Sequence, residues 1–343
     1  MKISYLWKEV KYYYKLGNGN LQRMGLKFIF AKTPVKKMVN KTCYNKFYSR
    51  VIKKGCKIPP KTFQIENTNL CNAKCIMCPH TVMKRKPGTM NQADFEKMCK
   101  NTLDYLPINL VIITGFGEPL IDPGIIDKVK WLNKNYPKVD IDIYTNASLM
   151  TEELSKKLLE LKIHKINFSI NGTEESYQKI MGLDYPNTKK NILKFLELKG
   201  KGRPLINISL VIVKENNDDI EKIIQFWHDK VDSVMAYSPS DWAGSLKNAS
   251  VITTSPFKNK TWPCPALWSV VTADVKGDVV MCCRDYESNV KFGNLLEHNI
   301  LDIRNSDMFQ ELLKKHQAFD FKVPVCSSCD NCFNSTLNWW AIK

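Results

Sequence analysis

Between residues 62 and 237 the sequence alternates six short runs rich in β-branched residues with stretches of helical periodicity. The runs cover residues 62–66, 110–114, 140–144, 165–170, 206–213 and 232–237, and the helical stretches lie near 92–104, 123–135, 151–161, 187–199 and 217–229. Several runs are nearly continuous in Val and Ile, as is typical of parallel strands buried on both faces. This rhythm predicts an α/β fold, a partial (β/α)6 barrel over residues 62–240, with its chemistry at the carboxyl ends of the strands.

Two further segments flank this barrel. Residues 1–61 hold sixteen Lys or Arg and a single acidic residue, Glu9, and so carry most of the net charge of +17. We expect a basic helical N-terminal extension there; the alternative interpretation is a contact with an anionic surface, such as a membrane or a phosphorylated carrier. No nucleic-acid motif accompanies the charge, so no specific nucleic acid is expected. Residues 241–343 are predicted to be a linker followed by a small cysteine-ligated module.

The chain has no run of about 18 uncharged apolar residues, and its first residues lack the continuous apolar stretch of a secretory signal. Twelve cysteines in 343 residues are unlike the short chains of secreted disulfide scaffolds, which favours metal ligation in a reducing compartment. We therefore expect a cytoplasmic protein, with a peripheral place at the inner membrane surface as the alternative.

Three cysteines follow the first predicted strand. Cys71, Cys75 and Cys78 have the spacing C-x3-C-x2-C. Zinc sites usually pair C-x2-C units to reach four ligands. Three thiolates on one loop instead leave one iron of a tetranuclear iron–sulfur cluster without a protein ligand, so that this iron can bind a small molecule. The alternative interpretation is a zinc knuckle with His80 as the fourth ligand.

The next three strands end in motifs of small and polar residues. These are Thr114-Gly115-Phe116-Gly117-Glu118-Pro119, Thr145-Asn146-Ala147 and Ser169-Ile170-Asn171-Gly172. Glycine permits the close backbone approach that would let main-chain groups contact a ligand. The alternative interpretation is ordinary turn chemistry at strand ends.

With these motifs in these places, residues 62–237 resemble the radical S-adenosylmethionine (SAM) superfamily. The resemblance implies a [4Fe–4S] cluster on the three cysteines that cleaves SAM reductively to a 5′-deoxyadenosyl radical, which then abstracts a hydrogen atom from a substrate. It also implies a set of cofactor-binding residues, namely Met77, Gly115, Phe116, Gly117, Glu118, Asn146, Ser169 and Asn171. The chain departs from the family pattern where Met77 replaces a frequent aromatic residue, Phe116 a glycine and Asn171 an acid.

The C-terminal module contains six cysteines, at positions 264, 282, 283, 326, 329 and 332. A C-x12-G-x4-C pattern joins the first two, and a hairpin over residues 273–280 with its turn at 276–278 would place Cys282 at a strand end. This pattern resembles the SPASM domain but has fewer cysteines, like the shorter twitch-type module with one auxiliary [4Fe–4S] cluster. The resemblance implies Cys264, Cys282, Cys326 and Cys329 as ligands, with Cys332 as a substitute. A zinc ribbon is the alternative.

Among twitch-type enzymes, these parts imply oxidation of a sugar-like or aminocyclitol alcohol, with the auxiliary cluster as electron acceptor. Candidates for the base are Arg284, Asp285, Tyr237 and Asp241, and Cys283 is a candidate hydrogen-atom donor. The alternatives are peptide modification (thioether formation, carbon–carbon crosslinking or epimerisation) and redox-neutral sugar epimerisation. The implied partners are a small-molecule substrate, either carbohydrate or peptide, and an external electron donor such as flavodoxin or ferredoxin.

Overall fold

The computed structural model describes residues 58–237, 239–240, 242–246, 264 and 266–329. Most of the predicted basic extension and of the predicted linker lies outside these residues, as do Asp241 and Cys332. The described residues fall within one unit, Ile58–Ser335. In this part of the chain no helix has both the length and the apolar character needed to cross a lipid bilayer.

Six parallel strands form the barrel sheet, and each begins and ends within two residues of a predicted run. They are β1 (Thr62–Ile65), β2 (Leu110–Ile113), β3 (Asp140–Thr145), β4 (Lys165–Ser169), β5 (Leu205–Val211) and β6 (Ser233–Tyr237). They stand side by side in the order β6-β5-β4-β3-β2-β1. The predicted partial barrel is therefore confirmed.

The strands are connected by helices. These are α1 (Gln92–Leu103), α2 (Ile125–Asn135), α3 (Glu152–Leu159), α4 (Glu174–Met181), α5 (Tyr185–Lys199) and α6 (Ile220–Trp227), with short 3-10 turns at Pro79–Val82, Pro119–Ile121 and Lys214–Asn216. The side chains of Asn91, Thr151 and Asp184 cap the starts of α1, α3 and α5, as short polar residues commonly do. Helix α4 is missing from the sequence-based prediction.

One face of the barrel sheet packs against these helices. Its side chains are apolar and fully buried, among them Phe63, Ile65, Val111, Ile113 and Phe168. The Phe168 ring meets Phe195 of α5 edge to face, with 5.7 Å between the ring centroids. Because side chains alternate along a strand, the intervening residues form the opposite, inner face of the barrel.

The second module extends the same sheet. It contains β7 (Val270–Ala273), β8 (Asp278–Val280) and β9 (Lys291–Asn294), with α7 (Ala266–Ser269), α8 (Ile300–Asn305) and α9 (Asp307–Gln317). Strand β7 pairs parallel with β1, and β8 and β9 follow in antiparallel order. One nine-stranded sheet thus runs through both modules, and the domain boundary after residue 240 stays a prediction.

The predicted hairpin joins β7 to β8, but its turn comes earlier than expected. One carboxylate oxygen of Asp274 accepts hydrogen bonds from the backbone N–H of Lys276 at 2.9 Å and of Asp278 at 3.1 Å. This Asx-type arrangement closes the turn at residues 274–277. Gly277 takes its left-handed position, with φ of 88°, and Asp278 belongs to β8.

A buried ion pair fixes the connection between β2 and α2. Lys128 Nζ lies 2.8 Å from Asp122 Oδ2, and both side chains are 2% exposed. Asn67 and the backbone N–H of Gly124 also donate to the Asp122 carboxylate. The turn that follows Glu118 and Pro119 is therefore tied both to α2 and to the segment after β1.

We expect the Lys128→Met substitution to lower the free energy of unfolding by about 3–5 kcal/mol, because it leaves the buried Asp122 carboxylate without a cation. The matched control is Lys156→Met, which breaks an exposed pair with Glu152 and should cost less than about 1 kcal/mol. Chemical denaturation of both variants measures the difference. Equal losses in the two variants would contradict the assignment.

Candidate active site

The three cysteines of the C-x3-C-x2-C spacing lie on the loop after β1, at the carboxyl edge of the sheet. Backbone hydrogen bonds from Lys74 to Met181 and from Ile76 to Ile180, both 2.9 Å, fasten this loop to the end of α4. The N–H of Cys78 donates to the carbonyl of Cys75 at 3.0 Å. Helix α4, although absent from the sequence-based prediction, is therefore the support of the cysteine loop.

Asn69 closes the base of the same loop. Its side-chain oxygen accepts from the N–H of Gly88 at 2.7 Å, and its amide donates to the carbonyl of Lys86 at 3.0 Å. The Nε2 atom of His80 is hydrogen-bonded to the carbonyl of Asn69 at 3.0 Å. The zinc-knuckle alternative would therefore need the other ring nitrogen of His80.

Burial raises the pKa of Cys71, of Cys75 and of Cys78, that of Cys78 to about 11. The pKa of Cys75 rises further because Cys71 and Cys78 lie close to it. Three thiolates in this place need a multivalent cation, and an iron–sulfur cluster supplies one. Among the described residues no His, Cys, Asp or Glu side chains converge on a single ion; a four-iron cluster is larger than an ion and holds its thiolates further apart.

The glycine-rich turn after β2 touches the cysteine loop directly. The N–H of Glu118 donates to the carbonyl of Leu70 at 2.7 Å. A Cβ atom at Gly117 would lie 2.3 Å from the carbonyl oxygen of Thr68, and one at Gly115 would lie 2.4 Å from the Glu66 side chain. The glycines are thus needed for approach to the chain's own groups, whereas the sequence suggested approach to a ligand.

Glu118 joins the ends of β2 and β3. Its buried carboxylate accepts hydrogen bonds from Thr145 Oγ1 at 2.5 Å, from the N–H of Asn146 at 2.7 Å and from the N–H of Leu120 at 3.1 Å. Burial raises the pKa of Glu118 to about 7, although these hydrogen bonds oppose the shift. The Asn146 side chain donates to Asn72 on the cysteine loop at 3.0 Å, so the predicted set of residues is physically connected.

This raised pKa predicts that folding stability depends on pH. The folded protein holds a proton on Glu118 that the unfolded chain releases near pH 4.5, so the stabilisation is complete below that value and is lost as the pH rises through about 7. We expect Glu118→Gln to remove up to about 3 kcal/mol of this dependence. Urea unfolding of both proteins between pH 5 and 8 measures it, and parallel curves would contradict the expectation.

Three other predicted cofactor residues occupy different surroundings. Asn171 is buried and accepts from the N–H of Val211 at 2.7 Å, which ties the ends of β4 and β5 together. Ser169 ends β4 and is half-buried. The carbonyl of Met77 accepts a hydrogen bond from Trp242 Nε1 at 2.7 Å. Their roles toward SAM stay predictions.

The sequence-based prediction did not include a charged cluster that lies between the two modules. The guanidinium of Arg85 binds both carboxylate oxygens of Glu66, at 2.7 and 2.9 Å, and its Nε donates to the carbonyl of Tyr286 at 2.6 Å. Glu66 also accepts from the N–H of Phe116 at 2.9 Å and of Val275 at 3.2 Å. The cluster therefore joins the end of β1, the glycine-rich turn and the β7–β8 hairpin. The sequence signal for this cluster was the carboxylate of Glu66, directly after a buried strand.

In the second module, Cys282 lies close enough to Cys283, Cys326 and Cys329 to interact electrostatically, and burial and these neighbours together raise the pKa of Cys282. Cys264 is half-buried and precedes α7, while Cys283 is exposed. The assignment of four ligands stays a prediction. Both carboxylate oxygens of Asp285, one of the base candidates, accept backbone hydrogen bonds, from Asn289 and Val290 at 2.9 Å. These bonds stabilise the loop between Asp285 and Val290.

A cleft brings the two modules to one place. Cys282 and Cys283 line it together with Gly115, Phe116 and Arg85. A larger open groove of about 830 Å³ lies beside α3 and α5 and is lined mostly by charged surface residues, with none of the predicted site residues. Of the two, only the smaller cleft, of about 20 Å³, is lined by predicted site residues.

Comparison with known proteins gives the family. The profile of the radical SAM superfamily matches residues 65–226, and that of the SPASM iron–sulfur cluster-binding domain matches residues 264–332. The chain belongs to the radical SAM superfamily. Radical SAM and SPASM domains imply SAM, a SAM-binding [4Fe–4S] cluster and an auxiliary cluster, and the donor set at the strand ends is chemically suited to such groups.

Two curated relatives are each 26% identical to this radical SAM protein. One is the tungsten-containing aldehyde ferredoxin oxidoreductase cofactor-modifying protein of Pyrococcus furiosus, aligned over 48% of each chain; the match thus spans about half of that relative. The other is the S-adenosyl-L-methionine-dependent 2-deoxy-scyllo-inosamine dehydrogenase of Niallia circulans, aligned over 78% of this chain and 92% of the relative.

Solved structures share the fold. BtrN in complex with AdoMet and 2-DOIA has a TM-score of 0.55 and 21% identity, over 79% of this chain and 92% of that one. Streptococcus suis SuiB bound to precursor peptide SuiA has a TM-score of 0.62 and 20% identity, over 96% of this chain and 83% of that one. At these identities the likeness shows the architecture of the radical SAM protein and leaves its substrate open.

Proposed function

We propose that this radical SAM enzyme oxidises an alcohol of a sugar-like or aminocyclitol substrate to a ketone. The observation that carries the proposal is the alignment with the dehydrogenase of Niallia circulans. Its 272 aligned residues are more than residues 65–226 contain, so the similarity extends beyond the radical SAM domain. The alignment also covers 92% of a protein whose name states oxidation of such an alcohol.

Cys71, Cys75 and Cys78 would hold the first cluster, and Cys264, Cys282, Cys326 and Cys329 the second. When bound, SAM and the two clusters supply a radical that takes a hydrogen atom and an acceptor for one electron. The residues of this chain hold the two sites together, because Glu66 and Arg85 bind the glycine-rich turn to the β7–β8 hairpin. An external reductant such as flavodoxin or ferredoxin would supply the electron that starts each turnover.

Oxidation also removes the proton of the substrate hydroxyl. Asp285 already accepts two backbone hydrogen bonds, so its carboxylate is less available to take the proton. Tyr237 lies on the inner face of the barrel sheet, where its electrostatic neighbours are Tyr144 and Lys165. Of Asp285 and Tyr237, Tyr237 therefore has the surroundings better suited to contact a substrate inside the barrel.

A second candidate function is redox-neutral epimerisation, in which a thiol returns a hydrogen atom to the opposite face of the substrate carbon. The thiyl radical left on the sulfur would then take one electron from the external reductant and one proton. Cys283 favours epimerisation, since it lines the cleft beside Gly115 and Phe116. The structural similarity to SuiB, which was solved with a precursor peptide, supports peptide modification only at the level of the fold.

The experiment is an anaerobic assay of the reconstituted enzyme with SAM, dithionite and 2-deoxy-scyllo-inosamine. Alcohol oxidation predicts one ketone for each 5′-deoxyadenosine. Epimerisation predicts an isomer of unchanged mass in H2O that carries one deuterium when the reaction is run in D2O, and this deuterium should be absent with Cys283→Ala. SAM cleavage without a ketone from any aminocyclitol or hexose offered would exclude the proposed function.

A further inference from the structure

The inner face of the barrel sheet carries polar side chains where parallel strands are ordinarily apolar. In register across β3 to β6 stand Tyr144, Asn167, Asn207 and Ser233, and Ser209 follows one step nearer the carboxyl ends. We call these five residues the polar band. Asn167 and Asn207 are 2% and 3% exposed, and the other three are half-buried.

The polar band is one hydrogen-bonded chain over most of its length. Ser233 Oγ donates to Asn207 Oδ1 at 2.6 Å, Asn207 donates to Asn167, and Asn167 Nδ2 donates to Ser209 Oγ at 2.7 Å. Among the described residues, no acceptor is found for the hydroxyl hydrogen of Ser209 and no partner for the hydroxyl of Tyr144. The chain of bonds orients these groups, and a ligand would complete them.

The sheet curves around this face. Tyr237 on β6 lies within electrostatic range of Tyr144 on β3 and Lys165 on β4, although other strands stand between them. Tyr237 is 43% exposed, and its hydroxyl contacts the sulfur of Met235 at 3.3 Å. The polar band and Tyr237 therefore face a common space inside the barrel, below the strand ends that carry the cysteine loop.

The charge on this face limits what can bind there. Among the described residues, Lys165 is the one cationic side chain on the inner face of the six strands. Its Nζ lies 2.8 Å from Asp142. Asp142 also binds His164 Nδ1 at 2.7 Å. No uncompensated cation of these strands is then left for a phosphate, which usually takes Arg or Lys. Amide and hydroxyl groups, which both donate and accept, suit hydroxyl groups instead.

We propose that the polar band and Tyr237 bind the hydroxyl groups of an unphosphorylated, polyhydroxylated ring, and so determine the substrate class of the enzyme. This inference rests on the proposed alcohol oxidation. Neighbouring strands are about 4.8 Å apart, so one six-membered ring can contact groups on two strands at once. A ligand without hydroxyl groups would leave the oriented donors and acceptors unpaired, which sites of this kind reject strongly.

The first test compares substrates with the reconstituted enzyme. We use 2-deoxy-scyllo-inosamine, scyllo-inositol and glucose, each beside its monophosphate, and measure the ketone and 5′-deoxyadenosine. We expect at least one unphosphorylated ring to be oxidised with a kcat/KM at least about tenfold above that of its phosphate. A preferred phosphate would overturn the inference and leave the proposed alcohol oxidation standing. SAM cleavage without oxidation of any of these rings would instead exclude the proposed function.

The second test uses variants. We expect Ser209→Ala to raise KM for the preferred ring up to about tenfold while kcat changes less, because it removes one hydrogen-bonding group. Tyr237→Phe should raise KM by a similar factor and also lower kcat, because Tyr237 is also a candidate for the base. The matched control is Tyr105→Phe, which alters a tyrosine of similar exposure, 46%, in the turn after α1. Iron content and near-ultraviolet circular dichroism report folding. Unchanged KM in both variants, with wild-type folding, would overturn the inference.

Discussion

The Cys75→Ala variant is expected to lose SAM cleavage by at least about a thousandfold, to the rate without enzyme, because the radical chemistry belongs to the cofactor that Cys75 is predicted to hold. The measurement is 5′-deoxyadenosine formed under dithionite after anaerobic reconstitution. Cys75 lies on the loop fastened to α4, with Cys71 and Cys78 as its electrostatic neighbours.

Cys99→Ala is the matched control for this loss. Cys99 is fully buried on α1, outside both groups of predicted ligands, so its thiol serves packing. We expect the control to keep the wild-type rate of SAM cleavage once folded. Residual cleavage by Cys75→Ala near the wild-type rate would show that the cluster does not depend on this thiol.

The Gly117→Ala substitution is expected to damage the site without touching any cysteine. Its Cβ would lie 2.3 Å from the carbonyl oxygen of Thr68 and 2.7 Å from that of Leu70. Both contacts are with backbone, which cannot rotate away as a side chain can. The turn must therefore move off the cysteine loop, and Glu118 would lose its 2.7 Å hydrogen bond to Leu70.

We expect Gly117→Ala to lower the free energy of unfolding by about 3 kcal/mol, at the upper end of what overpacking costs, and to raise KM for SAM. Gly88→Ala is the matched control, because a Cβ there meets nothing within 4 Å. Thermal unfolding and SAM titrations of both variants give the comparison. A Gly117→Ala protein as stable and as active as Gly88→Ala would refute the close approach of turn and loop.

The strands of the barrel could be predicted because their signal is local. Runs such as Leu110–Ile113 are unbroken in β-branched and aliphatic residues, and burial on both faces leaves few other structures open to them. Helix α4 was missed because its eight residues hold a single apolar triplet of helical spacing, Tyr177, Ile180 and Met181. Its boundaries are still marked in the sequence, by Thr173 before it and by Gly182 after it.

Long-range pairing could not be predicted in the same way. Strand β7 pairs with β1, which lies about two hundred residues earlier in the chain. Neither run of residues contains a signal that identifies the other as its partner. The Glu66–Arg85 cluster depends on that pairing, since it meets Val275 and Tyr286 only once β7 lies beside β1. The sequence therefore identified the two groups of cysteines but not the contacts that hold their modules together.

The sequence pattern located the glycine-rich turn but explained the need for its glycines only in part. Its residues were identified from their likeness to a family pattern and from their position after a strand. The structure adds that Gly115 and Gly117 make room for Glu66 and for the backbone at Thr68. Contacts inside the chain and contacts with a ligand both demand a missing Cβ, and a sequence alone does not separate them.

We propose that this radical SAM enzyme holds two iron–sulfur clusters, one on each group of cysteines. Iron and sulfide content after anaerobic reconstitution tests it most directly, in the wild type and in the variant with Cys71, Cys75 and Cys78 changed to alanine. We predict about eight irons per chain, falling to about four in the variant. About four irons in the wild type, with zinc on the second module, would contradict the claim.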